Sequence, residues 1–387
     1  MELWPPFVEP EFVSRLRAVV AETVTPIAAR VDRDDVYPVD AVRALAAGGY
    51  NSITFPKEYG GGARSFLHCV AVFEEVGYAS AATATSLITI FQSGEALKLY
   101  GNEALKASFL PRIAQGLCCS YAMTEAAHGS DVKHLETKAV RDGNAWVLNG
   151  EKSFVTSASA AELFVILAET PAGVSAFAVP RDTAGATTHV ASSSATFGLR
   201  NGPHVNFKLE NVRIPLDHLV GEEGHGIRVA ATTLDHSRVL AAAIGIGISR
   251  AAIDGALAFA RDRVAFGKHV LEFQGIQWYF ADLLAEVDAA RILTYDAARH
   301  LDEGREIERY SSEAKLLATR VAVRASTQAI QICGAWGCIE TAPFGRYMRD
   351  AKTYEIAGGS SEILKNTIGH YLERLGAPPV VVKVAQS

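Results

Sequence analysis

Tyr121-Ala122-Met123-Thr124-Glu125-Ala126-Ala127-His128-Gly129-Ser130-Asp131-Val132 stands where helical texture gives way to strands. It has the makings of a strand end followed by a small-residue loop, rich in backbone N–H groups and hydroxyls. Such a loop can approach an anionic pyrophosphate and offer donors to a polar ring edge. Downstream come short runs: Ala145-Trp146-Val147-Leu148, Ser153-Phe154-Val155-Thr156, Phe164-Val165-Ile166-Leu167 and Ser175-Ala176-Phe177-Ala178-Val179. Asp-Gly, Asn-Gly and Pro punctuate them. The pattern predicts short antiparallel strands over residues 118–222, with Asp142-Gly143 and Asn149-Gly150 as hairpin turns.

Upstream, Phe12, Leu16, Val19 and Val20 recur at helical spacing, as do Val42, Leu45 and Ala46. Residues 1–117 therefore read as a helical domain, interrupted by the glycine-rich turn Pro56-Lys57-Glu58-Tyr59-Gly60-Gly61-Gly62, with Pro111 as a helix boundary or first-turn residue. After Gly226 the chain turns helical again, with Ala-rich segments near 227–263, 273–303, 308–338 and 360–375. These predict a C-terminal four-helix-bundle domain over 223–387. Val239-Leu240-Ala241-Ala242-Ala243-Ile244-Gly245-Ile246-Gly247-Ile248 is apolar on every face and belongs in a central buried helix. Its Gly245-Ile246-Gly247 lies inside a helix, and the third glycine of a dinucleotide loop would fall at Arg250, so it reads as helix packing. The order α, then β, then α, without β-α-β alternation, predicts an α+β fold and disfavours a Rossmann sheet.

The chain of 387 residues, 49% hydrophobic, is ample for two to three domains. A net charge of -6, with no basic stripe, makes nucleic acid an improbable partner. No uncharged apolar run reaches the length of a membrane span. Cys69, Cys118, Cys119, Cys333 and Cys338 are an odd number without zinc-type spacing. They predict reduced thiols, no metal site and a cytoplasmic protein. Met1-Glu2-Leu3-Trp4-Pro5-Pro6 is acidic and Pro-broken, unlike a signal or transit peptide.

The stretch from Tyr121 resembles the flavin-binding signature of the acyl-CoA dehydrogenases, usually Thr-Glu-Pro-x-x-Gly-Ser-Asp, with Ala126 here for the proline. Asn149-Gly150-Glu151-Lys152-Ser153-Phe154-Val155-Thr156, Phe197-Gly198-Leu199-Arg200, Arg263-Val264-Ala265-Phe266-Gly267 with Glu272-Phe273-Gln274, and Gln331-Ile332-Cys333-Gly334-Ala335-Trp336-Gly337 match further blocks in order. So does Arg349-Asp350-Ala351-Lys352-Thr353-Tyr354-Glu355-Ile356-Ala357-Gly358-Gly359-Ser360-Ser361-Glu362-Ile363. The resemblance implies FAD as cofactor. It assigns to FAD Tyr121, Met123, Thr124, Gly129, Ser130, Phe154 against the flavin ring and Thr156 near its N5. Ser360 and Glu362 join them, and Arg263, Phe266, Gln274, Gln331 and Gly334 would serve the FAD of a neighbouring subunit. A cofactor shared in this way implies a homodimer at least, with a homotetramer usual.

Most members of the family carry the catalytic base, a glutamate, where Gly358 stands. A branch places it immediately before an arginine, at the position of Ser237. Both positions here lack a carboxylate. Glu355, one helical turn before Gly358, and His236, beside Ser237, are weak substitutes. A structural role is the commoner one for each, and a helical neighbour such as His236 is rotated away from the face of Ser237. Asp235 reads as an N-terminal helix acid. The resemblance implies an acyl-thioester substrate, on CoA or acyl carrier protein, contacted by Ser130, Arg238 and the backbone of Gly358. An electron-transfer flavoprotein or oxygen would take the electrons. The leading expectation is a FAD-dependent acyl-CoA dehydrogenase-like oxidoreductase with a displaced base. Two alternatives stay open: redox-neutral elimination or monooxygenation on the same fold, and a non-catalytic FAD or acyl-thioester binding protein.

Overall fold

The computed structural model describes residues 3–190, 195–203 and 205–375. Met1-Glu2 and residues 376–387, both included in the domain expectations above, lie outside them. Helical periodicity becomes α1 (Pro10–Thr23), α2 (Ala28–Asp34), α3 (Val39–Ala47), α4 (Phe66–Ala79), α5 (Ala81–Tyr100) and α6 (Glu103–Ala114). Ser80 caps α5 and Asn102 caps α6, each side chain accepting a first-turn N–H. Pro111 is no boundary: α6 runs through it and ends a turn later. With Phe109, Leu110 and Ile113 all buried, packing of that last turn overrides the proline's cost.

The strands are β1 (Cys119–Ala122), β2 (Lys138–Asp142), β3 (Ala145–Val155), β4 (Leu163–Thr170), β5 (Gly173–Pro180), β6 (Ala186–Val190), β7 (Val205–Pro215) and β8 (Leu219–Val220). Most pairs are antiparallel, in the order β6-β7-β3-β2-β4-β5-β8. β1 departs from the expected pattern by lying parallel to β4, because it enters from the helices rather than through a hairpin. Asp142-Gly143 does make the β2–β3 turn. Asn149-Gly150 does not turn. The two runs read as separate strands around it are one strand, β3, and Gly150 (φ 145°) sits at a register shift against β7.

The remaining elements are α7 (Gly226–Asp262), the hairpin β9 (Val264–Ala265) and β10 (Lys268–His269), α8 (Gln274–Asp302), α9 (Glu308–Cys333), α10 (Phe344–Ile356) and α11 (Ser361–Arg374). Among the described residues the C-terminal part holds five α-helices, one more than the four segments expected. The fifth, α10, was hidden by its polar composition. α7 is long and apolar enough to cross a bilayer, yet its most apolar window is 89% buried among the other helices.

Small residues let α7 make close approaches. A Cβ built on Gly247 would lie 2.5 Å from the Glu74 carbonyl oxygen and the Tyr78 nitrogen of α4. One on Gly245 would meet the Ala318 carbonyl of α9 at 3.2 Å. The glycine pair is therefore packing surface, as predicted. Gly247→Ala must push two backbones apart, and a loss of about 1–3 kcal/mol is expected in urea unfolding. Gly275→Ala, with open space around the new Cβ, is the control.

Candidate active site

Two ends of the molecule carry the residues singled out from sequence. At the first, β1 delivers Tyr121 and, just beyond it, Met123 and Thr124. The Ser153 N–H donates to the Thr124 carbonyl (2.8 Å), and Ser120 Oγ donates to the Thr156 carbonyl (2.7 Å). These bonds bring the end of β1 beside Phe154 and Thr156. Phe154 is 65% exposed and adopts φ 53°, an unusual backbone for a large side chain. The loop between them is pinned by Glu125. Its carboxylate accepts the N–H groups of Glu136 (2.6 Å) and Thr137 (3.1 Å) and the ammonium of Lys152 (2.6 Å). Burial opposes its charge, but Lys152 and these N–H groups win and hold the carboxyl below the ordinary range. Gly129 and Ser130 stay exposed on the loop. An exposed aromatic face beside a strand end and an open loop fits a planar ring with a pyrophosphate tail.

The α10–α11 connection lies against α7. Gly358 has φ 70°, and a Cβ built on it meets nothing within 4 Å. Arg238 Nε donates to the Gly358 carbonyl (3.4 Å), and Arg238 Nη1 pairs with Asp235 (3.0 Å). Ser360 caps α11, and Glu362 follows in its first turn. Lys315 is the residue that sequence reasoning missed. Its side chain is fully buried, and Nζ donates to the carbonyls of Gly359 (2.6 Å) and Glu355 (3.4 Å). Burial, then the nearby Arg238 charge, pushes its ammonium down to about 7. A signal existed: Ser311, Lys315, Ala318 and Ala322 form one helical stripe, and a lysine on a buried stripe needs a partner.

The Lys315 shift sets a pH dependence. A folded value below the ordinary lysine range means that the folded protein binds fewer protons than the unfolded chain from about pH 7 to 10. Lys315 thus contributes a rise in stability with increasing pH across that window. Denaturant midpoints from pH 6.5 to 9.5 should show the rise, and Lys315→Met should remove it.

Neither weak base candidate is free at this turn. His236 is buried, with Nδ1 2.8 Å from Glu95 of α5 and its ring edge-on to Phe66. It faces the helical interior. Glu355 pairs with Lys352 at 2.5 Å. Ser237 donates to the Leu234 carbonyl and accepts from Gln92 Nε2, both at 3.1 Å. The two expected base positions thus hold no carboxylate.

The second end carries Arg263, Phe266, Gln274, Gln331 and Gly334. From Arg238 to Arg263 is 25 residues of α7, or roughly 37 Å at the helical rise. α9 runs alongside α7, bringing Gln331 and Gly334 to that same far end. Phe266 stands 97% exposed at the tip of the β9–β10 hairpin. One protomer does not bring these residues to the Phe154 site. A cavity of about 400 Å³ lined by Tyr100, Gly221 and Val229 is separate too, with Val229 about 13 Å along α7 from Arg238.

Three models of acyl-CoA dehydrogenase domains match in order: N-terminal over residues 9–117, middle over 120–212 and C-terminal over 224–372. The chain belongs to the acyl-CoA dehydrogenase family. It is 36% identical to the probable acyl-CoA dehydrogenase FadE25 of Mycobacterium tuberculosis, over 94% of this chain and 95% of the relative. It is 34% identical to the human mitochondrial short-chain specific acyl-CoA dehydrogenase, over 90% and 86%. The structure of butyryl-CoA dehydrogenase from Megasphaera elsdenii superposes with a TM-score of 0.92 at 29% identity, covering 97% of this chain and all of that one. Acyl-CoA dehydrogenases are FAD-dependent oxidoreductases acting on CH–CH groups, so this chain is a flavoenzyme of that kind.

Proposed function

We propose that this acyl-CoA dehydrogenase binds its thioester, on CoA or an acyl carrier protein, with the carbonyl against the Gly358–Gly359 turn. One observation carries the reading. Arg238 and Lys315 tether the carbonyl oxygens of Gly358 and Gly359, while the Gly358 N–H has no partner among the described residues. A tethered turn with an unspent donor is suited to stabilise charge on a thioester oxygen and so acidify the adjacent Cα–H. Tyr121, Met123, Thr124, Phe154 and Thr156 would hold the flavin end of FAD, with Ser130 near the pyrophosphate and the thioester carrier. Bound FAD supplies the hydride acceptor.

Arg263, Phe266, Gln274, Gln331 and Gly334, at the far end of α7, would serve the FAD of a second subunit. Their separation from Phe154 supports a homodimer or homotetramer. An electron-transfer flavoprotein or oxygen would take the electrons. Five free cysteines support a cytoplasmic location.

The proton is the unusual part of the reading. Gly358 has no side chain, Ser237 is already hydrogen-bonded, and Glu355 and His236 are paired elsewhere. That favours, as a second reading, a reaction in which a substituent leaves without net oxidation. Anaerobic mixing of the FAD-loaded protein with acyl-CoA and acyl-carrier thioesters separates the two. Flavin bleaching with loss of two hydrogens from the acyl group marks dehydrogenation. Loss of a substituent with the flavin still oxidised marks elimination.

A further inference from the structure

The Lys315 side chain is fully buried, yet no carboxylate pairs with it among the described residues. Its two hydrogen bonds go to backbone carbonyls, those of Gly359 (2.6 Å) and Glu355 (3.4 Å). The charges that face it are engaged elsewhere. Arg238 pairs with Asp235 on α7, and the Glu355 carboxylate pairs with Lys352 on α10. Glu362, in the first turn of α11, lies near enough to favour the lysine's charge but forms no ion pair with it. Burial, then the Arg238 charge, pushes the ammonium down to about 7. A buried cation without a counter-ion is costly, and groups perturbed in this way cluster at functional sites.

What Lys315 holds is an otherwise permissive turn. Gly358 (φ 70°) and Gly359 (φ 107°) are adjacent glycines, in conformations that no side chain of their own enforces. Arg238 reaches the first carbonyl at 3.4 Å and Lys315 the second at 2.6 Å, so the shorter tether is the lysine's. Neither carbonyl belongs to the peptide that carries the Gly358 N–H. The tether therefore fixes the direction of that donor rather than polarising it. We propose that Lys315 is the positioning residue of the thioester site: it orients the Gly358 N–H toward the thioester oxygen and supplies a counter-charge when that oxygen becomes an enolate. The negative charge arriving at the turn then provides the partner that the buried ammonium lacks in the free protein. This inference rests on the acyl-thioester reading above.

The test uses the FAD-loaded protein and acetoacetyl-pantetheine, whose doubly activated Cα–H gives its proton to water without a protein base. Losing that proton places one negative charge on the enolate and changes no oxidation state. The enolate is followed by its ultraviolet absorbance across pH, with butyryl-pantetheine, which stays uncharged, as the reference for binding. The unaltered protein is expected to hold the enolate at a lower pH than free solution does. Lys315→Met should raise that apparent pKa by about one unit or more, roughly a tenfold loss of enolate at fixed pH, with butyryl-pantetheine affinity nearly unchanged. Lys315→Gln, which keeps an N–H donor without the charge, should move the same way. A second readout needs no variant. At about pH 8 Lys315 is largely neutral, and an enolate beside it makes it take up a proton, so net release falls below one proton per enolate formed. An unshifted pKa in folded, FAD-loaded Lys315→Met, or release of a full proton by the unaltered protein, overturns the inference and leaves the thioester reading in place. Loss of both thioesters together from the variants marks a structural role and overturns it too. If the unaltered protein binds neither thioester, or does not favour the enolate over free solution, the thioester reading at this turn fails and the inference with it.

Discussion

Gly358→Glu is expected to raise α,β-dehydrogenation of simple acyl-CoAs by about a hundredfold or more. A positioned general base is worth roughly 10²–10⁴-fold, and position 358 lacks one. Space does not oppose the change, since a Cβ there meets no heavy atom within 4 Å. Backbone conformation does. At φ 70° a non-glycine residue pays roughly 1–2 kcal/mol, so the variant should be slightly less stable and still folded. The Arg238 and Lys315 contacts hold backbone carbonyls and survive the change of side chain. Enoyl product measured by mass, with parallel flavin bleaching, is the readout. A variant that is folded, loaded with FAD and binding acyl-CoA, yet forms no enoyl product, would mean that the vacant position is not what limits this chemistry. Ser237→Glu tests the other base position, at the cost of the Gln92 hydrogen bond.

Arg250→Met should be the most damaging single change away from the site, at about 3–5 kcal/mol. Arg250 Nη1 lies 2.6 Å from Glu74 and 2.9 Å from Glu75, both on α4. Arg291 of α8 also reaches Glu74 (3.0 Å), Tyr295 donates to it (2.9 Å), and Arg17 of α1 pairs with Glu75 (3.0 Å). Helices α1, α4, α7 and α8 thus meet in one buried network. Removing its most buried cation leaves carboxylates short of counter-charge in a place that water does not reach. Removing a surface partner does not, so Arg324→Met, which breaks exposed pairs with Asp282 and Glu286, should cost less than about 1 kcal/mol. Urea midpoints at constant m compare the two. A loss below about 1 kcal/mol for Arg250→Met would show that the network contributes little.

Much of the architecture was legible along the chain because it is set locally. The change of period near Tyr121, the apolar run Val239–Ile248 and the Gly143 turn each involve residues a few positions apart. Errors arose where a distant surface overrode a local preference. Pro111 stays inside α6 because Phe109 and Leu110 before it and Ile113 beyond it are buried, and Asn149-Gly150 bends a strand because β7 continues alongside it. α10 is polar in average composition, and its buried stripe, Phe344, Ala351 and Tyr354, is too sparse to stand out along the chain.

By itself, the sequence determined the α, β, α order, and its resemblance to a family supplied two expectations, a flavin-type loop and a glycine, Gly358, at the usual carboxylate position; each depends on residue type and near spacing alone. Only the tertiary structure decided which of these residues share a site. His236 and Ser237 are neighbours in the chain, yet one is taken by Glu95 and the other by Gln92 beside the tethered turn. Lys315 meets Gly359 across 44 residues of sequence, and Arg263 is carried roughly 37 Å from Arg238 by the helix that joins them. Spacing along a helix gives direction around its axis. Which groups then come face to face depends on how the helices pack.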